Sequence, residues 1–387
     1  MISRTAQKDL LYLAKHFPAV CILGPRQCGK TTLAKAVMHK LKKQVVYLDF
    51  EKPRDLARLS DPEAFLEQHT DKCVVMDEVQ VKPEIFSVLR PLIDEKRKPG
   101  RFILLGSASP ELVKGVSESL AGRISYLELT PFTFPELGKG AKIDKHWFRG
   151  GFPQSYLARN NAVATKWLDD FIRTYIERDL NTLFGASFAR GVMHRFWTML
   201  AHYHGGIWNA ETFARSLGVT GPTVNRYLDF LEAAFIIHRL PAYFVNTKKR
   251  LVKAPKVYIR DSGLLHRLLD MDSLDELRGY PGVGNSWEGY VVEQVRACKT
   301  AKQQLYFYRT HDGAECDLLI VRGNKVVACI EIKLSSAPTV SKGFHVCATE
   351  LKCKTKIVVA PVTEAYAMGD DVTVMPLPTL LAKLALL

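Results

Sequence analysis

The feature that most constrains this chain is Gly24-Pro-Arg-Gln-Cys-Gly-Lys-Thr31, entered from the apolar run Ala19-Val-Cys-Ile-Leu23 and followed at helical spacing by Thr32-Leu-Ala-Lys-Ala-Val-Met38. Strand, glycine loop and helix is the order that the pattern G-x-x-x-x-G-K-[ST] requires. Glycines let the backbone wrap a phosphate chain, while amides and the helix N-terminus supply positive potential. Lys30 reaches the outer phosphates and Thr31 ligates Mg²⁺. The segment Gly24, Pro25, Arg26, Gln27, Cys28, Gly29, Lys30, Thr31 and Thr32 is therefore expected to hold a nucleoside triphosphate.

A second element of phosphate chemistry follows. Cys73-Val-Val-Met76 reads as a buried strand ending in Asp77-Glu78, an acidic pair at the carboxyl end of a strand in a doubly wound sheet. This is a Walker B pattern: Asp77 would hold Mg²⁺ and Glu78 would polarise the water that attacks the γ-phosphate. Arg101-Phe-Ile-Leu-Leu105 is another buried strand, with Ser107 in the turn at its end. From its position in a Gly-Ser turn that serine reads as a turn former.

At 387 residues the chain exceeds what one core usually organises, so two or three domains are expected. No apolar run approaches ~18 residues, and the N-terminus lacks the pattern of a secretion signal. A cytoplasmic protein without membrane contact is expected. Eight cysteines show neither C-x-x-C pairs nor Cys/His ligand spacing, which argues against zinc. The net charge of +14 is uneven: residues 187 to 260 hold eleven Lys/Arg against three Asp/Glu. Such a basic island suggests a polyanion partner, DNA above all, although an ordinary solvated surface has the same composition.

Within that island the pattern is helix (192–203), helix (210–217, after Asn209 as N-cap), a turn at Gly218, then a helix opened by Gly221-Pro222. Extended runs at 236–245 and 251–259 flank Asn246-Thr-Lys-Lys-Arg250, the tip of a wing. This is a winged-helix arrangement in which Thr223, Asn225 and Arg226 face outward from the recognition helix, and Lys248, Lys249 and Arg250 meet phosphates. The alternative is a lid packed on the nucleotide domain.

In the last third, a helical segment carrying Glu288 precedes strands at 305–309, 314–321 and 325–333. Residues two apart on a strand share a face, so Glu331 and Lys333 project together and Asp317 joins them from the neighbouring strand. The order resembles the PD-(D/E)xK nuclease core. There Glu288, Asp317 and Glu331 would bind Mg²⁺ and Lys333 would orient the attacking water. Such cores also serve as binding or structural modules.

Taken together, GPRQCGKTT, VVMDEVQ, LLGSAS, LAGRISYLELTPFTFPEL and KAPKVYIRDSGLL resemble a group of bacterial and archaeal AAA-type ATPases with a carboxyl-terminal domain of unknown function. The resemblance implies ATP and Mg²⁺ as cofactors and homo-oligomers as an option. It makes Ser107 a contact to the γ-phosphate or attacking water, and Arg123 a phosphate-sensing arginine acting in cis or toward a neighbour. Arg26 belongs to the same pattern. The expected fold is α/β throughout: an AAA-type P-loop ATPase domain (1–148), a helical linker (149–188), a winged-helix domain (189–275) and a restriction-endonuclease-like domain (276–387). The expected activity is ATP hydrolysis acting with DNA, with cleavage by the last domain as one outcome. A nucleotide switch that never cuts DNA is a second reading, and a P-loop kinase is a third, disfavoured because Glu78 directly follows Asp77.

Overall fold

The computed structural model describes residues 2–41, 43–108, 120–176, 180, 189–244, 251–369 and 371–387. The chain divides into two compact units. One comprises Met1–Phe132, Arg173–Phe188 and Asp229–Ile236; the other comprises Thr133–Ile172, Ala189–Leu228 and Ile237–Leu387.

The first unit is built on a parallel sheet of β1 (Ala19–Leu23), β2 (Val45–Asp49), β3 (Cys73–Asp77), β4 (Phe102–Gly106) and β5 (Ile124–Glu128), in the order β2-β3-β4-β1-β5. Every residue of β1, β3 and β4 is buried. Unbroken apolar runs are what a parallel sheet covered on both faces demands. Alternate residues divide between the faces. Val20 and Ile22 pack with Leu10, Leu33 and Val37 of α1 (Ala6–His16) and α2 (Lys30–Met38), whereas Ala19, Cys21 and Leu23 pack with Leu89 and Ile93 of α3 (Ile85–Glu95). The strand order has one consequence for the site. Because β4 lies between β1 and β3, the residue just past its end, Ser107, falls between the phosphate loop and the Asp77-Glu78 pair.

The second unit contains α4 (Ile143–Arg149), most of α5 (Asn161–Thr174), α6 (Arg190–His202), α7 (Ala210–Leu217) and the first two turns of α8 (Gly221–Ala233), whose last residues belong to the first unit, and then the antiparallel pair β6 (Ile237–Leu240) and β7 (Lys256–Ile259). Asn209 caps α7 as expected, accepting from the amides of Glu211 and Thr212 at 3.1 and 3.4 Å. Val224, Leu228 and Leu231 form the buried stripe of α8, while Phe235, expected to extend it, lies past the helix end at φ 60°. The basic tip 246–250 lies outside the described residues.

Then come α9 (Ser262–Leu268), α10 (Val283–Cys298), β8 (Gln303–Arg309), β9 (Glu315–Arg322), β10 (Lys325–Ile332), α11 (Lys342–Glu350), β11 (Lys356–Val359), β12 (Tyr366–Met368), β13 (Val372–Met375) and α12 (Leu377–Lys383). The six strands order as β12-β13-β11-β10-β9-β8. From α10 to β11 the succession is helix, three antiparallel strands, helix, and a strand parallel to the third. Strands β12 and β13 go beyond the sequence expectation; at three and four residues they carry too little alternation to register. Among the described residues no helix is long and apolar enough to cross a membrane.

A buried polar chain ties α4, α9 and α10 together. The Trp147 indole N–H donates to Ser286 Oγ at 3.0 Å, Ser286 Oγ meets His266 Nε2 at 2.6 Å, and His266 Nδ1 lies 3.0 Å from the Phe148 carbonyl. A carbonyl can only accept, so Nδ1 carries the proton and Nε2 accepts from the serine. Burial then pushes the His266 imidazole down to about 4. The unfolded chain binds the extra proton first, near pH 6.5, so the stability this imidazole contributes is complete above that value and falls with acidification toward pH 4. The expected slope is roughly 1 kcal/mol per pH unit. Urea midpoints of wild type and His266→Gln between pH 7.5 and 4.5 check this: the variant should start lower and lose less on acidification.

Candidate nucleotide site and carboxylate cluster

The phosphate loop is pinned from several sides. Leu129 O approaches Gly24 so closely that a Cβ there would sit 2.1 Å from it, and the buried Cys28 thiol donates to the same carbonyl at 3.3 Å. No larger residue fits at Gly24 without moving backbone. Arg4 braces the loop from outside any motif. Its guanidinium donates to Cys28 O at 3.0 Å and Thr130 O at 2.6 Å and lies over the Phe132 ring. Arg26 donates to Glu51 at 2.9 Å, while Gln27 and Thr32 are exposed.

Lys30, at 5% exposure, donates to Gly24 O and Pro25 O at 2.9 Å each and to Ser107 Oγ at 3.0 Å. Ser107 Oγ in turn donates to Glu78 Oε2 at 3.1 Å. The expected pairing of loop and acid strand is also present: Thr31 Oγ1 donates to Asp77 Oδ2 at 2.7 Å, and Tyr47 donates to the same oxygen at 2.5 Å. Burial pushes the Asp77 carboxyl up, and the two hydroxyl donors pull it back. Glu78 is held at φ 57°, a left-handed conformation costly for a residue with a side chain, and Gln80 donates to its carboxylate. A hydroxyl and a buried carboxylate in contact at the first turn of α2 form a donor set that suits a Mg²⁺ arriving with the nucleotide.

Arg123 stands elsewhere. It precedes β5, whose first residue pairs with Ala19 at the start of β1. It therefore lies at the amino end of the sheet, about five residues or ~16 Å from the loop. Its guanidinium forks onto Asp94 at 2.7 Å on both arms. The structure does not bring Arg123 to the phosphate loop of its own chain.

In the second unit, Leu318 pairs with Ile330, which sets Asp317 opposite Glu331, and Asp317 Oδ2 accepts from the Ile332 amide at 2.8 Å. Lys333 meets Glu331 at 2.8 Å. Glu288, from α10, is held by Tyr258 at 2.6 Å and Lys256 at 2.9 Å, both on β7. Lys256 also contacts Glu315 at 2.7 Å, and Arg309 meets the other oxygen of Glu315 at 3.1 Å. Burial with Glu288 nearby pushes the Asp317 carboxyl up to about 8, against the pull of Lys256. Burial alone would lower the Lys256 ammonium, but Glu288, Asp317 and Glu315 more than offset it and keep it charged. Gly289 is needed beside this cluster because the His204 ring occupies the place of a Cβ, 2.0 Å from where it would stand.

The expected convergence of Glu288, Asp317, Glu331 and Lys333 is thus present, but the expected metal ligation by the three acids differs from what is found. No group of three His, Cys, Asp or Glu among the described residues is spaced to hold a metal ion. The acids are engaged by side-chain cations instead, Glu288 and Glu315 by Lys256 and Glu331 by Lys333. In α8, Asn225 and Arg226 are exposed, whereas Thr223 is half-buried with its hydroxyl 2.9 Å from that of Thr220. Asn225 accepts from the Trp208 indole at 2.9 Å. Lys248, Lys249 and Arg250 lie outside the described residues.

Residues 16–138 match the family described as an AAA domain, 140–275 a domain of unknown function (DUF8612), and 283–380 a domain of unknown function (DUF4143). Uncharacterized protein Mb2031c of Mycobacterium bovis and Uncharacterized protein Rv2008c of Mycobacterium tuberculosis are each 41% identical over 373 residues, which is 96% of this chain and 83% of theirs. Among solved structures, the chain is similar to the Walker-type ATPase PABY2304 of Pyrococcus abyssi, at 14% identity and TM-score 0.45 over 70% of this chain and 96% of that one. It is also similar to the RuvB Holliday junction branch migration motor of Thermotoga maritima, at 22% identity and TM-score 0.29 over 62% and 90%.

Removing the outer brace tests the loop. Arg4→Ala should weaken binding of a fluorescent ATP analogue by roughly 1–3 kcal/mol, the usual cost of orphaning polar groups. Arg123→Ala should leave single-chain affinity unchanged.

Proposed function

Because the chain belongs to one family with these mycobacterial proteins and itself carries an AAA domain and a carboxyl-terminal DUF4143 domain, we propose that its ATP hydrolysis uses Glu78 to polarise the attacking water and is exerted on DNA. The observation that carries the catalytic part is the Ser107 hydroxyl lying between Lys30 and Glu78. Three neutral oxygens hold the Lys30 ammonium, and phosphate oxygens are stronger partners, so an entering triphosphate draws it away from Ser107. Ser107 is then left to Glu78 and the attacking water. Thr31 and Asp77 would hold Mg²⁺, which when bound neutralises charge on the β- and γ-phosphates. A kinase reading fits less well, since Glu78 already has a hydroxyl partner at the position of a water-activating base.

The DNA part rests on the basic segment 187–260 and on Asn225 and Arg226 exposed on one helix of a winged-helix-like arrangement. A second reading adds phosphodiester cleavage. It is favoured by the meeting of Glu288, Asp317, Glu331 and Lys333 on a helix-strand-strand-strand-helix-strand core. As found, the residues do not fit a metal, so no metal-dependent step is assigned to them.

Three measurements test this. Glu78→Gln should bind nucleotide normally and lose roughly 10²-fold or more in turnover, while Lys30→Ala should lose binding itself. Turnover near wild type in Glu78→Gln would refute the assigned role. Reversing Lys248, Lys249 and Arg250 to Glu should weaken DNA binding and flatten its salt dependence by about 0.9 in log–log slope for each phosphate no longer neutralised. An unchanged slope favours the lid. For cleavage, plasmid, linear and single-stranded DNA are incubated with Mn²⁺ or Mg²⁺, with and without ATP, beside Asp317→Ala. Product lost in the variant with ATP hydrolysis spared supports cleavage; intact substrate throughout leaves a DNA-bound switch.

A further inference from the structure

The carboxylate cluster of the second unit already holds a cation. Four acids are involved: Glu288 from α10 and Glu315 from β9 touch the ammonium of Lys256, Asp317 of β9 lies near it, and Glu331 of β10 stands opposite Asp317. Glu331 is 3% exposed. Lys256 is 4% exposed, and its ammonium lies 2.9 Å from Glu288 and 2.7 Å from Glu315. The lysine is not drawn from the nuclease-like core. It comes from β7, 32 residues before Glu288, and the same strand sends Tyr258 to the same Glu288 oxygen at 2.6 Å. Lys333 and Arg309, the other cations present, each reach one acid and are 37% and 41% exposed.

We propose that Lys256 is the resident cation of this cluster, occupying the charge-compensating place of a divalent metal ion, so that the core is closed to metal while β7 is seated and opens to it when Lys256 is withdrawn. The inference rests on the nuclease-like reading of the core, and it concerns metal entry rather than cleavage. Two physical arguments support it. A buried ammonium bridging carboxylates from a helix and a strand is placed as a bridging ion would be, and the two cannot share the space. The acids that Lys256 leaves uncompensated when it is removed are hard oxygen donors, the ligand class that Mg²⁺ and Mn²⁺ select.

Two further features agree. Tyr258 fixes Glu288 from the same strand, so β7 delivers both contacts as one piece, and its movement would release both. On one side β7 pairs with β6, Ile237 to Leu240 against Ile259 to Lys256, and on the other it is held by residues 204–208, Ile207 bridging Lys256, so Lys256 is fixed from both edges of its strand.

The test is Mn²⁺ binding to the full chain without nucleotide, in a Lys30→Ala background that silences the phosphate loop, read by electron paramagnetic resonance of free Mn²⁺. With Lys256 in place the chain should bind no Mn²⁺ tightly. Lys256→Met should gain one site, roughly tenfold or more tighter. Adding Asp317→Asn should remove it, and Lys256→Arg, which keeps the charge, should gain nothing. Mn²⁺ should also raise the melting temperature of Lys256→Met and not of the protein with Lys256 in place. Tight, Asp317-dependent binding with Lys256 present overturns the proposal, and that arm needs no variant at position 256 to fold. No gain in a folded Lys256→Met overturns it too. A metal site gained without any DNA cleavage leaves the inference standing and removes the cleavage reading alone.

Discussion

Both units are organised around a lysine ammonium taken out of water, and the two are satisfied in opposite ways. A buried charge must be paired or hydrogen-bonded to persist. Lys30 donates only to neutral oxygens, two loop carbonyls and a hydroxyl. An anion would be a stronger partner for it than any of the three. Lys256 donates to two carboxylates and has a third nearby. The first arrangement is prepared for a phosphate, and the second is already closed. The same side chain therefore marks a receptive site in one unit and an occupied one in the other.

The nucleotide site was largely legible in the sequence because its chemistry is local. Loop, strand and helix are contiguous, and the Asp77-Glu78 pair is announced by the apolar run before it. Ser107 could be proposed from its position after a strand, but its place between Lys30 and Glu78 depends on β4 being inserted between β1 and β3, a pairing that no single strand's sequence encodes. Arg4 and Tyr47 were not legible at all. Each acts across 24 residues or more through one side chain, with no periodicity to flag it.

The carboxylate cluster shows the same division. Period-two alternation places Glu331 and Lys333 on one face, and the hairpin register places Asp317 opposite Glu331, so three of its members follow from strand geometry. Lys256 does not. It sits in a run that reads as one arm of a wing, where a lysine is expected to face solvent or phosphate. Only the tertiary fold turns it toward Glu288. A strand-level pattern gives the faces of a sheet; it says nothing of a side chain delivered by a separate element.

Charge counting in the basic segment fails for a related reason. Of its eleven Lys/Arg, Lys256 is 4% exposed and Arg260 is 8% exposed, and they are paired with Glu288, Glu315 and Glu293. All three acids lie beyond residue 260, so a window that stops there counts the cations and misses their partners. Removing the two leaves nine Lys/Arg against three Asp/Glu, still a basic segment but a smaller field for a polyanion to meet. Long-range attraction depends on charges that remain in solvent, because a buried pair presents almost no net charge at the surface. Any DNA footprint on this segment must therefore be sought among its exposed members, such as Arg226, rather than along β7, whose lysine is committed to the interior.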